Sequence, residues 1–223
     1  MAPRIVEASS PNFDARPQGA PVDMLVLHYT GMRTAEEALS RLCDPAAKVS
    51  AHYTIGRDGR VYRHVPEEMR AWHAGISHWA GEANVNARSI GIELVNPGHE
   101  FGYIPFADEQ IAALIDLCDG IRTRHPIPAA RVVGHSDVAP ARKEDPGEFF
   151  PWEALSEYGI GVWPKPGFPG MPFARALERF GYGVTDVPME AVIRAFQRHF
   201  RPSCIDGIAD GECERLAAGL VEG

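Results

Sequence analysis

Three residues far apart in the chain have the types and settings of a catalytic metal site. His28 ends the apolar run Met24-Leu25-Val26-Leu27. His135 closes Arg131-Val132-Val133-Gly134, and Asp145 follows ten positions later in Arg142-Lys143-Glu144-Asp145-Pro146-Gly147. Two imidazoles and one carboxylate suit Zn²⁺, and three protein ligands leave a fourth position open for water, as catalytic zinc requires. Glu93 lies between the two histidines, in the strand-like stretch Ser89-Ile90-Gly91-Ile92-Glu93-Leu94. A glutamate beside such a water is the usual proton carrier of metal-assisted hydrolysis.

Regular elements must bring these residues together. Met24 to His28 reads as a buried strand. Ser89 to Val95 reads as another, whose alternation puts Ile90, Ile92 and Leu94 on one face and Glu93 on the other. Val132-Val133 is a short strand leading to His135. Thr34 with Glu37 three residues on has the form of a capping box, and opens a helix whose face carries Ala35, Ala38, Leu39 and Leu42. Ser50–Ile55 and Arg60–Val65 read as a hairpin about Gly56-Arg57-Asp58-Gly59. Asp108 to Thr123 is a long helix with Ile111, Leu114, Ile115 and Cys118 on its stripe. Strands alternating with helices indicate an α/β architecture.

The first twenty or so residues, rich in Pro, Ser, Asn and Gly, read as an irregular arm of a first unit spanning 1–158. Residues 159–170, dense in Pro and Gly, read as a linker. Residues 171–223 read as a small unit of three helices: Phe173 to Phe180, Pro188 to Phe200, and a last helix capped by Asp210. So short a unit has a marginal core of its own and is expected to dock on the first.

The chain has 223 residues and a net charge of −8, which argues against nucleic acid or an anionic membrane as partner. No window approaches the apolar length of a transmembrane helix. The first residues lack a signal-peptide core, so the chain as written is expected in the cytoplasm, with export as the alternative. Of the four cysteines, Cys43 and Cys118 sit in apolar phase on helices and are expected as reduced, buried thiols. A monomer is expected.

Segments carrying these residues, with several others, resemble the zinc-dependent N-acetylmuramoyl-L-alanine amidases of the AmpD/AmiD type. The matching stretches are Leu27-His28-Tyr29-Thr30, Val49-Ser50-Ala51-His52-Tyr53, Arg70-Ala71-Trp72-His73-Ala74-Gly75, Ser89 to Leu94, Gly134-His135-Ser136-Asp137-Val138-Ala139-Pro140 and Lys143-x-Asp145-Pro146-Gly147, in order from about Val22 to Trp152. The C-terminal helices resemble the small peptidoglycan-binding domain found after some amidases. The resemblance implies a mixed sheet flanked by helices, with zinc in a groove at one face. It implies hydrolysis of the amide between N-acetylmuramic or 1,6-anhydro-N-acetylmuramic acid and the L-alanine of the stem peptide, in muropeptide recycling. His28, His135 and Asp145 would then hold one Zn²⁺ per chain, Glu93 would move the proton, and Lys143 would stabilise the oxyanion.

Tyr29, Lys48, Trp72, His73, Asn86 and Arg88 are the candidate contacts to peptidoglycan fragments. Trp72 would pack on the sugar, and Lys48 or Arg88 would meet a stem-peptide carboxylate. Some relatives carry arginine where Lys48 and Asn84 align. His52 and His73 are expected to support the groove rather than hold metal. The main alternative is a non-catalytic peptidoglycan-recognition protein on the same fold, but such proteins lose a ligand or the proton carrier, and none is missing here. A peptidase or deacetylase is disfavoured, since no H-E-x-x-H helix is present. The partial serine-hydrolase elbow at Gly134–Val138 lacks its final glycine.

Overall fold

The computed structural model describes residues 5–222. Its strands are β1 (Ile5–Glu7), β2 (Phe13–Ala15), β3 (Met24–Tyr29), β4 (Tyr53–Ile55), β5 (Val61–Arg63), β6 (Met69–Ala71), β7 (Ser89–Leu94) and β8 (Val132–Gly134). Six of them form one sheet in the order β1-β5-β4-β7-β3-β8, parallel throughout except for the β4–β5 hairpin. The remaining pair, β2 and β6, forms a small antiparallel ribbon. The central strands β3 and β7 are the near-continuous apolar runs expected of parallel strands covered on both faces.

The helices among the described residues are α1 (Ala35–Cys43), α2 (Val85–Arg88), α3 (Gly98–Phe101), α4 (Asp108–Arg124), α5 (His135–Val138), α6 (Trp152–Ser156), α7 (Phe173–Phe180), α8 (Met189–Phe200) and α9 (Gly211–Glu222). Alternation along the strands divides the core in two. On one face Leu25, Leu27, Ile90, Ile92 and Leu94 pack against Leu114, Leu117, Cys118 and Ile121 of α4 and against Trp152 and Leu155 of α6. On the other face Met24, Val26 and Val133 pack with Leu177, Val192, Phe196, Phe200 and Leu216 from α7, α8 and α9. Burying each large apolar side chain in these layers contributes roughly 1.5–3 kcal/mol.

Two local signals act as the sequence suggested. The Thr34 hydroxyl accepts the amide of Glu37 at 3.2 Å and starts α1. Asp210 accepts the amides of Glu212 and Cys213 at 3.1 and 3.0 Å and starts α9. All four cysteines are free, with Cys118 and Cys213 buried.

The expected irregular arm is corrected by the structure. Residues 1–4 lie outside the described residues, but β1 extends the main sheet beside β5, and β2 pairs with β6. Arg16 then turns inward, donating to the carbonyls of Glu67, Asn86, Ala87 and Ser89 at 3.1, 3.1, 2.9 and 2.8 Å. Between α6 and α7, residues 157–172 form no helix or strand. Among the described residues no helix is long and apolar enough to cross a membrane.

Candidate active site

The three central strands end together, and their ends make the site. His28 on β3 stands in register with Glu93 on β7, so both project from one face, the face that also carries Met24 and Val26. On the other side of β3, β8 runs parallel and delivers His135 as the first residue of the short turn α5. Asp137 stiffens that turn by accepting the Gly134 amide at 2.7 Å. The chain then loops through Lys143 back to Asp145, whose carbonyl accepts the amide of Ser136 at 2.8 Å.

His28, His135 and Asp145 form one buried cluster. Nδ1 of His28 lies 2.9 Å from Nδ1 of His135, and each lies 3.0 Å from Oδ2 of Asp145. A tetrahedral zinc with bonds of about 2.0–2.1 Å separates its donors by roughly 3.3 Å. The cluster is a few tenths of an ångström tighter, and its nitrogen and oxygen donors are those such an ion takes. The residues present fit a zinc ion, with a cleft above them for a further ligand.

Burial, followed by the charge on His135, pushes the His28 imidazole down to about 4, so it is neutral at pH 7. Burial alone would raise the Asp145 carboxyl. The charge and hydrogen bond of His135, and then those of His28, outweigh it and hold the group well below the ordinary carboxylate range. Glu93 behaves in the opposite way. Burial first and the Asp145 charge second raise it well above its usual value, against the pull of Lys143. Its buried Oε2 has no hydrogen-bond partner. Two carboxyl groups in one site are thereby driven apart, Asp145 held ionised and Glu93 raised toward its protonated form.

A cleft of about 450 Å³ opens over the cluster. Its walls include Tyr29, His73, Glu93 and Lys143, together with Arg41 and His99. Tyr29 contacts His99 through its hydroxyl at 2.9 Å, His99 stacks on Tyr103, and Tyr103 stacks on Phe149. Tyr29 was among the expected contacts, but the His99, Tyr103 and Phe149 part of this aromatic wall, and Arg41 from the last turn of α1, escaped the sequence reading. Arg41 lines the cleft together with Ala38 and Leu42 of the same helix.

The other candidate contacts do not line this cleft. Lys48 is exposed, with a left-handed backbone at φ 50°. The Trp72 side chain lies beside Asp14. Asn86 turns to the backbone, accepting the amides of His73 and Ala74 at 3.2 and 2.8 Å. Arg88 is held by Asp23 and Glu82 in a partly buried ion-pair cluster that also includes Arg131. His52 and His73 stand behind the ligands: His73 Nδ1 is 3.1 Å from Nε2 of His28, and His52 packs edge-on to His73.

The chain is similar to known proteins in sequence and in fold. The chain is 38% identical to the N-acetylmuramoyl-L-alanine amidase AmiD of Escherichia coli, over 98% of this chain and 90% of that protein. It is 35% identical to the 1,6-anhydro-N-acetylmuramyl-L-alanine amidase AmpD of Haemophilus influenzae, over 66% of this chain and 88% of that protein. In three dimensions it is similar to AmpDh3 of Pseudomonas aeruginosa, with a TM-score of 0.83 at 36% identity, covering 92% of this chain and 93% of that one. Residues 18–148, which carry every member of the metal cluster together with Glu93 and Lys143, match the N-acetylmuramoyl-L-alanine amidase family, and the chain belongs to it.

Proposed function

We propose that this chain cleaves the amide between N-acetylmuramic, or 1,6-anhydro-N-acetylmuramic, acid and the L-alanine of the peptidoglycan stem peptide, releasing the peptide in muropeptide recycling. The observation that carries this reading is the buried His28–His135–Asp145 cluster with the unpartnered Glu93 oxygen beside it. It is supported by the likeness to E. coli AmiD in complex with anhydro-N-acetylmuramic acid-L-Ala-D-γ-Glu-L-Lys, at a TM-score of 0.81 and 38% identity.

His28, His135 and Asp145 would hold one zinc ion per chain in a monomeric protein. Bound there, zinc supplies Lewis acidity, polarising the amide carbonyl and making water a competent nucleophile near neutral pH. Glu93 takes the proton of the attacking water and returns it to the departing alanine nitrogen, the two-way transfer for which a raised carboxyl pKa suits it. Lys143 lies in the cleft two residues from Asp145 and offers its ammonium to the oxyanion that develops on the carbonyl. Tyr29 and His99 give the sugar an aromatic wall, and Arg41 gives a stem-peptide carboxylate a cation.

The test is mass spectrometry of products from the zinc-loaded protein incubated with 1,6-anhydro-N-acetylmuramyl-tripeptide and, separately, with intact sacculi. Free tripeptide from the soluble substrate supports recycling, and stem peptides from sacculi extend the activity to the wall. No cleavage of either overturns the enzyme reading in favour of a recognition protein. Glu93→Ala should keep stoichiometric zinc and lose activity by about 10²–10⁴-fold. A fully active variant removes Glu93 from the mechanism.

A further inference from the structure

The geometry points to a tier of non-ligand residues, His73, Ala74, Asn86 and Ser89, that positions both metal-binding histidines by fixing which ring nitrogen carries the proton. This rests on the proposed metal role of His28 and His135, and it adds residues to that site.

The proton assignment follows from groups that can only accept. The Ser89 hydroxyl lies 2.7 Å from the carbonyl of Val85, and a carbonyl has no proton to give. The single hydroxyl proton of Ser89 is therefore committed there. The contact between Ser89 Oγ and Nε2 of His73, at 3.1 Å, then needs its proton from the ring, so His73 carries hydrogen on Nε2. A neutral ring with hydrogen on Nε2 has a lone pair on Nδ1. That lone pair faces Nε2 of His28 at 3.1 Å, so His28 must donate from Nε2. The Nδ1 of His28 is left bare and aimed at the metal cluster.

His135 is oriented by the next residue. Its Nε2 lies 3.1 Å from the carbonyl of Ala74, again an obligate acceptor, which leaves its Nδ1 bare as well. The dipeptide His73-Ala74 thus serves one ligand through a side chain and the other through a carbonyl. Asn86 ties that dipeptide down, its Oδ1 accepting both amide protons. Two bare nitrogens and the Asp145 carboxylate face one another at 2.9–3.0 Å, an arrangement of acceptors that a cation satisfies.

Strand β7 makes room for this tier. Its site face presents Ser89, Gly91 and Glu93 in turn: the anchor of the relay, a gap and the proton carrier. The gap is needed because a methyl group at residue 91 would overlap the His73 ring. Ser89 and Ala74 are fully buried and His73, at the cleft wall, is only 6% exposed, so water has little access to these bonds.

A histidine in place of the more usual carboxylate or carbonyl behind a ligand has one consequence. The relay holds only while His73 is neutral and in one tautomer, so its ring state can be read directly. The experiment is ¹⁵N NMR of the histidine rings in zinc-loaded and metal-free full-length protein, with zinc affinity measured by chelator competition. His73 should show a protonated Nε2 and an unprotonated Nδ1 in both states, with coupling across the bond from His28 Nε2. His73→Leu should weaken zinc binding about 10–100-fold. His73→Asn, which places an acceptor near the position of Nδ1, should recover most of that loss. Asn86→Ala should weaken binding, and Asn86→Asp, which keeps the accepting oxygen, should do so less.

A His73 ring protonated on Nδ1 overturns the proposal, as does unchanged zinc affinity in a folded His73→Leu or Asn86→Ala protein. If His73→Leu does not fold, the Asn86 pair and the wild-type spectrum decide. Failure of the wild-type protein to bind zinc would instead overturn the metal reading, leaving the tautomer of His73 a separate result.

Discussion

His28 and Glu93 occupy paired positions on adjacent strands, yet their environments ask opposite things of them. The histidine must stay neutral to offer a lone pair, and burial ensures it. The carboxyl would pass a proton in the proposed role, and burial beside Asp145 raises its pKa. His52, behind them, titrates for stability. Its Nδ1 accepts the Gly91 amide at 3.0 Å and its Nε2 donates to the Met69 carbonyl at 3.1 Å, so both nitrogens are committed to a neutral ring. Burial, then the charge on Arg16, pushes its pKa down to about 3. Between about pH 6.5 and 3 the unfolded chain binds a proton on this ring that the folded chain refuses, so stability falls as pH drops through that window. The limiting loss is a few kcal/mol. Thermal melts from pH 8 to pH 4 should show this slope, and His52→Gln should flatten it. An unchanged slope in the variant would assign the effect to other groups.

At the scale of elements, the site depends on segments with weak signals of their own. Strands β3 and β7 and helices α1, α4, α7, α8 and α9 were legible because apolar periodicity and capping residues mark them locally. Strands β1, β2 and β6 were not, because three-residue strands take their order from the partner they pair with. Arg16 belongs to this group: nothing near it in sequence announces that four carbonyls await it. Its guanidinium is half-buried, and burial lowers it to about 10, which still leaves it charged at pH 7. Its acceptors include the backbone of Asn86 and Ser89, which hold His73 by its backbone amide and by its ring respectively. Arg16→Lys keeps a charge but loses the fork, and should cost about 1–3 kcal/mol in urea unfolding. A midpoint equal to wild type would show the arm to be dispensable.

For the whole molecule, the question is whether α7, α8 and α9 stand apart. They share one hydrophobic cluster with the face of the sheet that carries His28. Polar bonds cross the same boundary. Tyr182 and His199 hydrogen-bond to Asp137 at 2.6 and 2.8 Å, beside His135, and Arg198 pairs with Glu144 at 3.1 Å, beside Asp145. Phe196 lies fully buried between these layers, so Phe196→Ala should cost about 3–5 kcal/mol. Helix content and zinc retention should then be lost in one transition at a lower temperature. If the helices melt while zinc stays bound, the C-terminal third is an independent unit.

The sequence by itself determined the donor types, their order and the strands that end in them. His28, Glu93 and His135 were readable because each ends or punctuates an apolar run, and local periodicity tells which way such a residue points. The parallel stacking of β8, β3 and β7, which alone brings His135 within 2.9 Å of His28, is a property of the tertiary structure. So are the tasks of Arg88, Asn86 and Trp72. A polar side chain in a sequence shows what it can bond, but only the fold decides which buried partner would otherwise go unsatisfied, and that need placed these three beside the backbone and acidic groups rather than in the cleft.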